Sequence, residues 1–184
     1  MQEIRPRGEK EMTIYVDPKP GMVVRYGYLW ARQARMGQDH GEKFRPSLIL
    51  AVRNEDDKKY VYVAPITHTA PFYPEESILI PPETKARLGL DSEKSWIMAN
   101  EVNKFEWPGL DIRRVPDRRE RSQFYGFVPG ELLQQARDKM KEMNLQHRFN
   151  TVARDVQPVQ VVNNTQLLPQ VAIPRPQPQN FRHG

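Results

Sequence analysis

The sequence predicts a mainly β, α+β domain: a small, strongly bent β-barrel with one short internal helix and one C-terminal helix. Three observations lead there. Short runs rich in β-branched and aromatic residues are separated by Pro, Gly and polar turns. Helical periodicity is sustained in one long segment, at 129–144. The strand-like runs do not alternate with long helical ones, as a βαβ protein requires.

In chain order, residues 22–30 (MVVRYGYLW) follow the breaker Pro20-Gly21 and form the first strand. Residues 31–45 are polar, carry two glycines and exceed an ordinary connection, which makes them a candidate functional loop. Residues 47–52 and 60–66 are the second and third strands, and the polar NEDDKK between them makes an antiparallel hairpin. Residues 77–80 form a short fourth strand ended by Pro81-Pro82, after which 83–88 wind into one or two helical turns with Gly89 as the C-cap. Residues 95–99 and 101–105 extend the β region, and 124–128 form the last strand. Residues 129–144 then place Leu132, Leu133, Ala136, Met140 and Met143 on one side of a helix, with Pro129 in its first turn.

The compact domain is expected over 12–148, after a charged, unpatterned extension at 1–11. The last 37 residues hold six Gln, four Asn and five Pro without periodicity, so 149–184 read as a disordered tail whose deletion leaves the working domain intact. A Pro-rich docking motif is the other reading of that tail.

The chain has 184 residues, 38% hydrophobic against 28% charged, a soluble globular composition. Its longest apolar runs, 48–52 and 60–64, fall far short of the roughly 20 residues that span a bilayer. No apolar stretch follows Arg5, Arg7 and Lys10 as in a secretory leader, which leaves the cytoplasm as the expected compartment. The absence of cysteine removes disulfides, thiolate zinc sites and cysteine nucleophiles. The net charge is +5, but residues 148–184 hold four arginines against one acid, leaving 24 basic against 22 acidic residues before them. Nucleic acid, if bound by the domain, must meet a local patch rather than a general positive field.

His40, His68, His147 and His183 lack the spacing of shared metal ligands, so no metal site is expected. No phosphate-cradling loop, dinucleotide fingerprint or nucleophile elbow occurs, and no cofactor is expected. What remains is the hairpin. Arg45 opens its first strand and Thr67, His68 and Thr69 close its second, so antiparallel pairing brings Arg45 beside Thr67 and His68. A guanidinium fork, a hydroxyl and an imidazole together suit a phosphodiester. The competing reading is structural: Arg45 ion-paired with Glu42, Thr67 bonded to a turn backbone, and His68 half-buried against Tyr73.

The segments PGMVVRYGYLW, GEKFRPSLILAV, YVAPITHTAP, MANEVNKFEW and YGFVPGEL follow one another across residues 20–145. Through them the chain resembles the PemK/MazF family of toxins, the endoribonuclease halves of bacterial toxin–antitoxin pairs, and within it a PemK-like growth-inhibitor branch. The resemblance implies an SH3-like barrel of the PemK/MazF/CcdB type, a homodimer, and a separate acidic antitoxin as partner. It implies metal-independent cleavage of single-stranded RNA by the 2′-hydroxyl, leaving a 2′,3′-cyclic phosphate and a 5′-hydroxyl. The family's arginine maps to Arg45 through Pro46 and its catalytic threonine to Thr67 through Pro65, with His68 as the remaining acid or base. RNA contacts are then expected from Glu42, Lys43, Phe44, Thr69, Tyr28, Glu101, Asn103 and Lys104. Asn103 stands where relatives commonly have Lys, and strand alternation turns Lys104 to the opposite face.

Arg113, Arg114, Arg118, Arg119 and Arg121, interleaved with Asp117 and Glu120, form either a backbone-tracking loop or a solvated one. Tyr28, Trp30 and Phe44 flank the long loop and can stack on splayed bases, although core packing accounts equally well for Tyr28 and Trp30. Trp96 and Trp107 read as core or dimer residues. A noncatalytic binding module on the same barrel, like the gyrase-poisoning toxins, or an adaptor working through its tail, is the alternative class.

Overall fold

The structure is a computed structural model that describes residues 16–116, 122–154 and 160–163. The expected domain start at 12, the basic cluster Arg118, Arg119 and Arg121, and most of the expected tail lie outside these residues. Among the described residues the chain forms ten strands, three helices and one 3-10 turn, in a mostly antiparallel sheet, so the mainly β, α+β class holds.

The hairpin at its centre is longer than its sequence signal. β2 (Phe44–Glu55) and β3 (Lys58–Thr67) are joined by Asp56 and Asp57, with Asp56 at φ 53°, and a bulge near Leu50 bends the pair. β1 (Met22–Gly27) pairs with β2. Its other edge is shared between β7 (Ile112–Arg113) and β8 (Phe124–Phe127). β3 is divided in the same way. Its first half carries β6 (Glu101–Glu106), and its tip carries β5 (Trp96–Met98), which in turn pairs with β4 (Ser77–Leu79). The pairing path runs β10-β9-β6-β3-β2-β1-β7 and does not close on itself among the described residues, so the sheet is open.

The sheet carries a core on each face, because its central strands alternate between two apolar sets. Leu48, Leu50, Ala64, Ile66 and Val102 pack beneath α2 (Pro82–Leu88) and α3 (Gly130–Leu145), where Leu132, Ala136 and Met143 are buried and Leu133 and Met140 lie against the cluster. Gly89 ends α2 at φ 64°, the left-handed position a C-cap requires. The other face gathers Tyr26, Tyr28, Ile49, Val61, Val63 and Phe105, with Tyr26 stacked on Phe105 at 4.6 Å. No helix among the described residues is long and apolar enough to cross a membrane.

Two expectations need correcting. The first strand stops at Gly27, and Trp30 instead precedes a short helix, α1 (Ala31–Arg35), inside the segment read as a loop. The ordered fold also continues past 148. β9 (Asn150–Ala153) pairs in parallel with β6, burying Thr151 and Val152, and β10 (Gln160–Asn163) pairs with β9. A polar, proline-rich composition hid a strand whose stability comes from an edge supplied by β6, 49 residues earlier in the Glu101↔Asn150 register.

Candidate functional site

The β2–β3 ladder ends at the pair Ser47 and Pro65, two residues short of Arg45 on one strand and of Thr67 on the other; beyond it Arg45 pairs with Tyr26 of β1 and Thr67 with Trp96 of β5. Arg45 and Thr67 line a cleft of about 510 Å³, together with Lys43, Phe44, His68, Thr69, Asp91 and Ser95. Arg45, Thr67 and His68 thus border the same cleft.

Arg45 occupies one wall. Its guanidinium lies over the Trp30 ring, 5.0 Å from the centroid, and among the described residues no carboxylate comes within salt-bridge distance. The expected alternative pairing with Glu42 does not form; Glu42 is exposed and accepts a bond from Gln38 Nε2 at 3.4 Å. Arg45 Nε is buried with no hydrogen-bond partner. Burial pulls the Arg45 pKa down, against the opposing fields of Tyr28, Glu101 and Glu42. Behind it sits Glu101, 9% exposed, whose Oε1 accepts from Tyr28 Oη at 3.2 Å and from the Ala31 N–H at 3.1 Å. Burial pushes this carboxyl up to about 7, although both bonds and the nearby Arg35 and Arg45 charges pull it down.

Thr67 is nearly buried, and its Oγ1 accepts the Thr69 N–H at 3.1 Å. That bond is the turn contact the structural alternative foresaw, and it leaves the Thr67 O–H free to donate.

His68, one residue on, projects toward the loop after α2 rather than toward Tyr73. Its Nε2 lies 3.0 Å from Asp91 Oδ2, and its Nδ1 lies 3.2 Å from the Lys94 carbonyl and 3.3 Å from Ser95 Oγ. Lys85, 4% exposed, holds this wall together. Its Nζ donates to Asp91 Oδ1 at 2.9 Å, to Ser95 Oγ at 2.7 Å and to the Glu93 carbonyl, which uses all three of its N–H groups. Partial burial raises the Asp91 carboxyl, but the bonds from Lys85 and the Glu93 N–H and the fields of His68 and Lys85 bring it below the usual range.

The sequence reading missed Lys85, Asp91 and Ser95. The available signal was Lys85 three residues before the buried Leu88, a lysine on the inward face of a short helix that leads into the acidic loop DSEKS.

Several expected RNA contacts are placed elsewhere. Tyr28 is fully buried and packs edge-on against Tyr26 and Trp30, so it has no face for a base. Asn103 is fully buried and clamps the backbone of one residue from both sides: its Oδ1 accepts the Leu29 N–H at 3.0 Å and its Nδ2 donates to the Leu29 carbonyl at 2.8 Å. Glu101 is likewise committed to internal bonds. Lys104 faces the opposite side, as alternation required, with Nζ 3.2 Å from both Glu55 oxygens and over Tyr60 and Tyr62. Lys43, Phe44 and Thr69 remain exposed at the cleft.

No protein-family model and no curated protein matches the chain.

Proposed function

We propose that this chain is an endoribonuclease of the toxin type, cutting single-stranded RNA at the tips of β2 and β3. The single observation that supports it best is the pairing of Arg45, with an unsatisfied buried N–H, and Thr67, with an unused hydroxyl proton, on one cleft. The open, bent sheet is read as the SH3-like barrel that the motif resemblance implies, and the protein as cytoplasmic. A homodimer and a small acidic antitoxin complete the proposal.

The chemistry is an internal phosphoryl transfer. The ribose O2′ attacks the adjacent phosphorus as its proton leaves, the P–O5′ bond breaks, and O5′ takes up a proton. The products are a 2′,3′-cyclic phosphate and a 5′-hydroxyl. Arg45 aims a fixed fork of N–H donors at the nonbridging oxygens, where negative charge grows in the transition state. The Thr67 hydroxyl donates to the same phosphate and holds it in line. His68, oriented by Asp91 and the Lys94 carbonyl, moves a proton at the far wall. Glu101 sets the field on Arg45: protonated below about 7 it leaves the guanidinium's charge whole, and ionised above that it partly offsets it.

The test is cleavage of single-stranded RNA in excess EDTA, with end-group analysis of the products. Cyclic phosphate ends from the wild type, and their loss in Arg45→Ala and Thr67→Ala proteins that remain folded, are expected. RNA left at full length by the wild type, with a protein target co-purifying, would instead make the chain a noncatalytic binding module.

A further inference from the structure

A second feature lies beside the cleft and takes no part in the chemistry above. Phe44, immediately before Arg45, is 41% exposed at the cleft mouth. Two guanidiniums lie over its ring, Arg25 at 5.3 Å and Arg113 at 5.0 Å from the centroid. Each is tethered by backbone. Arg25 Nη1 donates to the Arg114 carbonyl at 2.9 Å, and Arg113 Nη1 donates to the carbonyls of Leu110 at 2.5 Å and Ile112 at 3.0 Å. Beneath the ring is Gly27, the residue paired with Phe44 across β1 and β2, where a Cβ would come within 3.1 Å of Phe44 Cε1. The ring is therefore seated in a fixed position.

Arg25 and Arg113 are direct cross-strand partners in the β1–β7 ladder. Like charges opposite one another destabilise a ladder. Here neither arginine, nor Lys43 beside them, meets a carboxylate within salt-bridge distance among the described residues, and the nearby Asp111 is already paired with Arg154. An unbalanced cationic pair around an exposed ring is an arrangement that a polyanion with flat aromatic groups would complete. Single-stranded nucleic acid has both, whereas an acidic peptide has only the charge.

Resting on the ribonuclease reading, we infer that Arg25, Phe44 and Arg113 form a stacking ledge that binds the nucleotide flanking the scissile phosphate. The base stacks on the guanidinium planes that Phe44 backs, and the outward N–H groups of the same guanidiniums hold the neighbouring phosphate. The ledge acts on binding, whatever the sequence of the strand, because each base has a face to stack and each phosphate a charge.

The experiment measures binding of a 2′-O-methylated single-stranded RNA, which lacks the attacking hydroxyl, by fluorescence anisotropy in EDTA between about 50 and 200 mM salt. RNA cleavage by each protein is assayed alongside. Phe44→Ala is expected to weaken binding at least about fivefold with an unchanged salt slope. Arg113→Ala should weaken it and lower the slope by about 0.7, one phosphate contact on a single strand. Arg113→Lys should keep the slope and still lose affinity, since an ammonium cannot stack. Phe44→Leu, which retains the apolar volume, serves if Phe44→Ala melts early. Wild-type affinity in all the variants while the wild type still cuts RNA would overturn the ledge and leave the nuclease standing. Loss of binding in the variants of a protein that never cuts RNA would do the reverse. A wild type that does not bind the RNA, or a ledge needed only for binding poly-glutamate, also overturns the inference.

Discussion

The two walls of the cleft are built on opposite principles. On the Arg45 wall a cation lies under an indole with a buried N–H that meets no acceptor, backed by a carboxyl whose charge is suppressed. On the His68 wall every polar group meets another: Lys85 uses all its donors, and Asp91 and Ser95 bridge it to the imidazole. The buried Nε carries a standing desolvation cost, while the outer N–H groups of the guanidinium, paired with no carboxylate among the described residues, are left to an incoming anion. A closed network gains little from a ligand but holds its members in place. The first wall is thus suited to binding charge that develops in a reaction, the second to orienting one ring.

The strongest break in this contrast is to remove what supports the Arg45 wall. Truncation after Arg148 deletes β9, which pairs with the strand carrying Glu101 and Asn103 and buries Val152, so the shortened chain is expected to be unfolded by circular dichroism. Truncation after Asn163 should retain a cooperative melt, and a native melt for the shorter form would show that β9 is dispensable.

Next in size is the difference between the walls in catalysis. Arg45→Ala should lower RNA cleavage by about 100- to 1,000-fold, the range for losing a donor to a developing oxyanion. His68→Ala should cost about 100-fold, the low end for losing a general acid or base, because Arg45 and Thr67 still hold the phosphate. Equal losses in single-turnover rates would erase the distinction.

A pH experiment isolates Glu101. Its carboxyl keeps its proton in the folded chain up to about 7 but releases it near 4.5 when unfolded. The unfolded state therefore binds fewer protons between those values, and stability falls as pH rises through them. Relative to Glu101→Gln, the wild type should lose on the order of 2 to 3 kcal/mol between pH 4.5 and 7 in denaturant titrations. A parallel pair of curves would mean the carboxyl is not held protonated.

Smaller effects are expected elsewhere. Lys85→Met should lower stability by about 1 to 2 kcal/mol, since Asp91 is open enough to rehydrate while the Ser95 hydroxyl and Glu93 carbonyl lose a donor. Its effect on cleavage should match that of His68→Ala and not that of Arg45→Ala. Lys104→Ala should change cleavage less than about twofold, as its ammonium is paired with Glu55 on the far face.

Much of this was legible in the chain. The hairpin, the α2 turn with Gly89 and the inward stripe of α3 are set by neighbours within a few residues, through turn chemistry, capping and periodicity. That Arg45 and Thr67 border one cleft followed from the hairpin, since strand pairing brings the two tips to one end without any knowledge of packing. Tyr28 and Asn103 illustrate the limit. Each has a side chain suited to RNA, and each is consumed by contacts with residues far along the chain, Glu101 for one and the Leu29 peptide for the other. β9 shows the same limit in reverse, because polar residues become a strand once an edge is available to them.

Residue order alone was enough to establish the mainly β class, the hairpin and the pair of strand tips, because period-two alternation and turn residues are local properties. Which side chains remain unsatisfied depended on folding. Whether a guanidinium keeps a bare N–H, whether a carboxyl holds its proton to about 7, and whether a lysine can be buried are each determined by groups that meet across the sheet, where solvent exclusion and partner count set the energy.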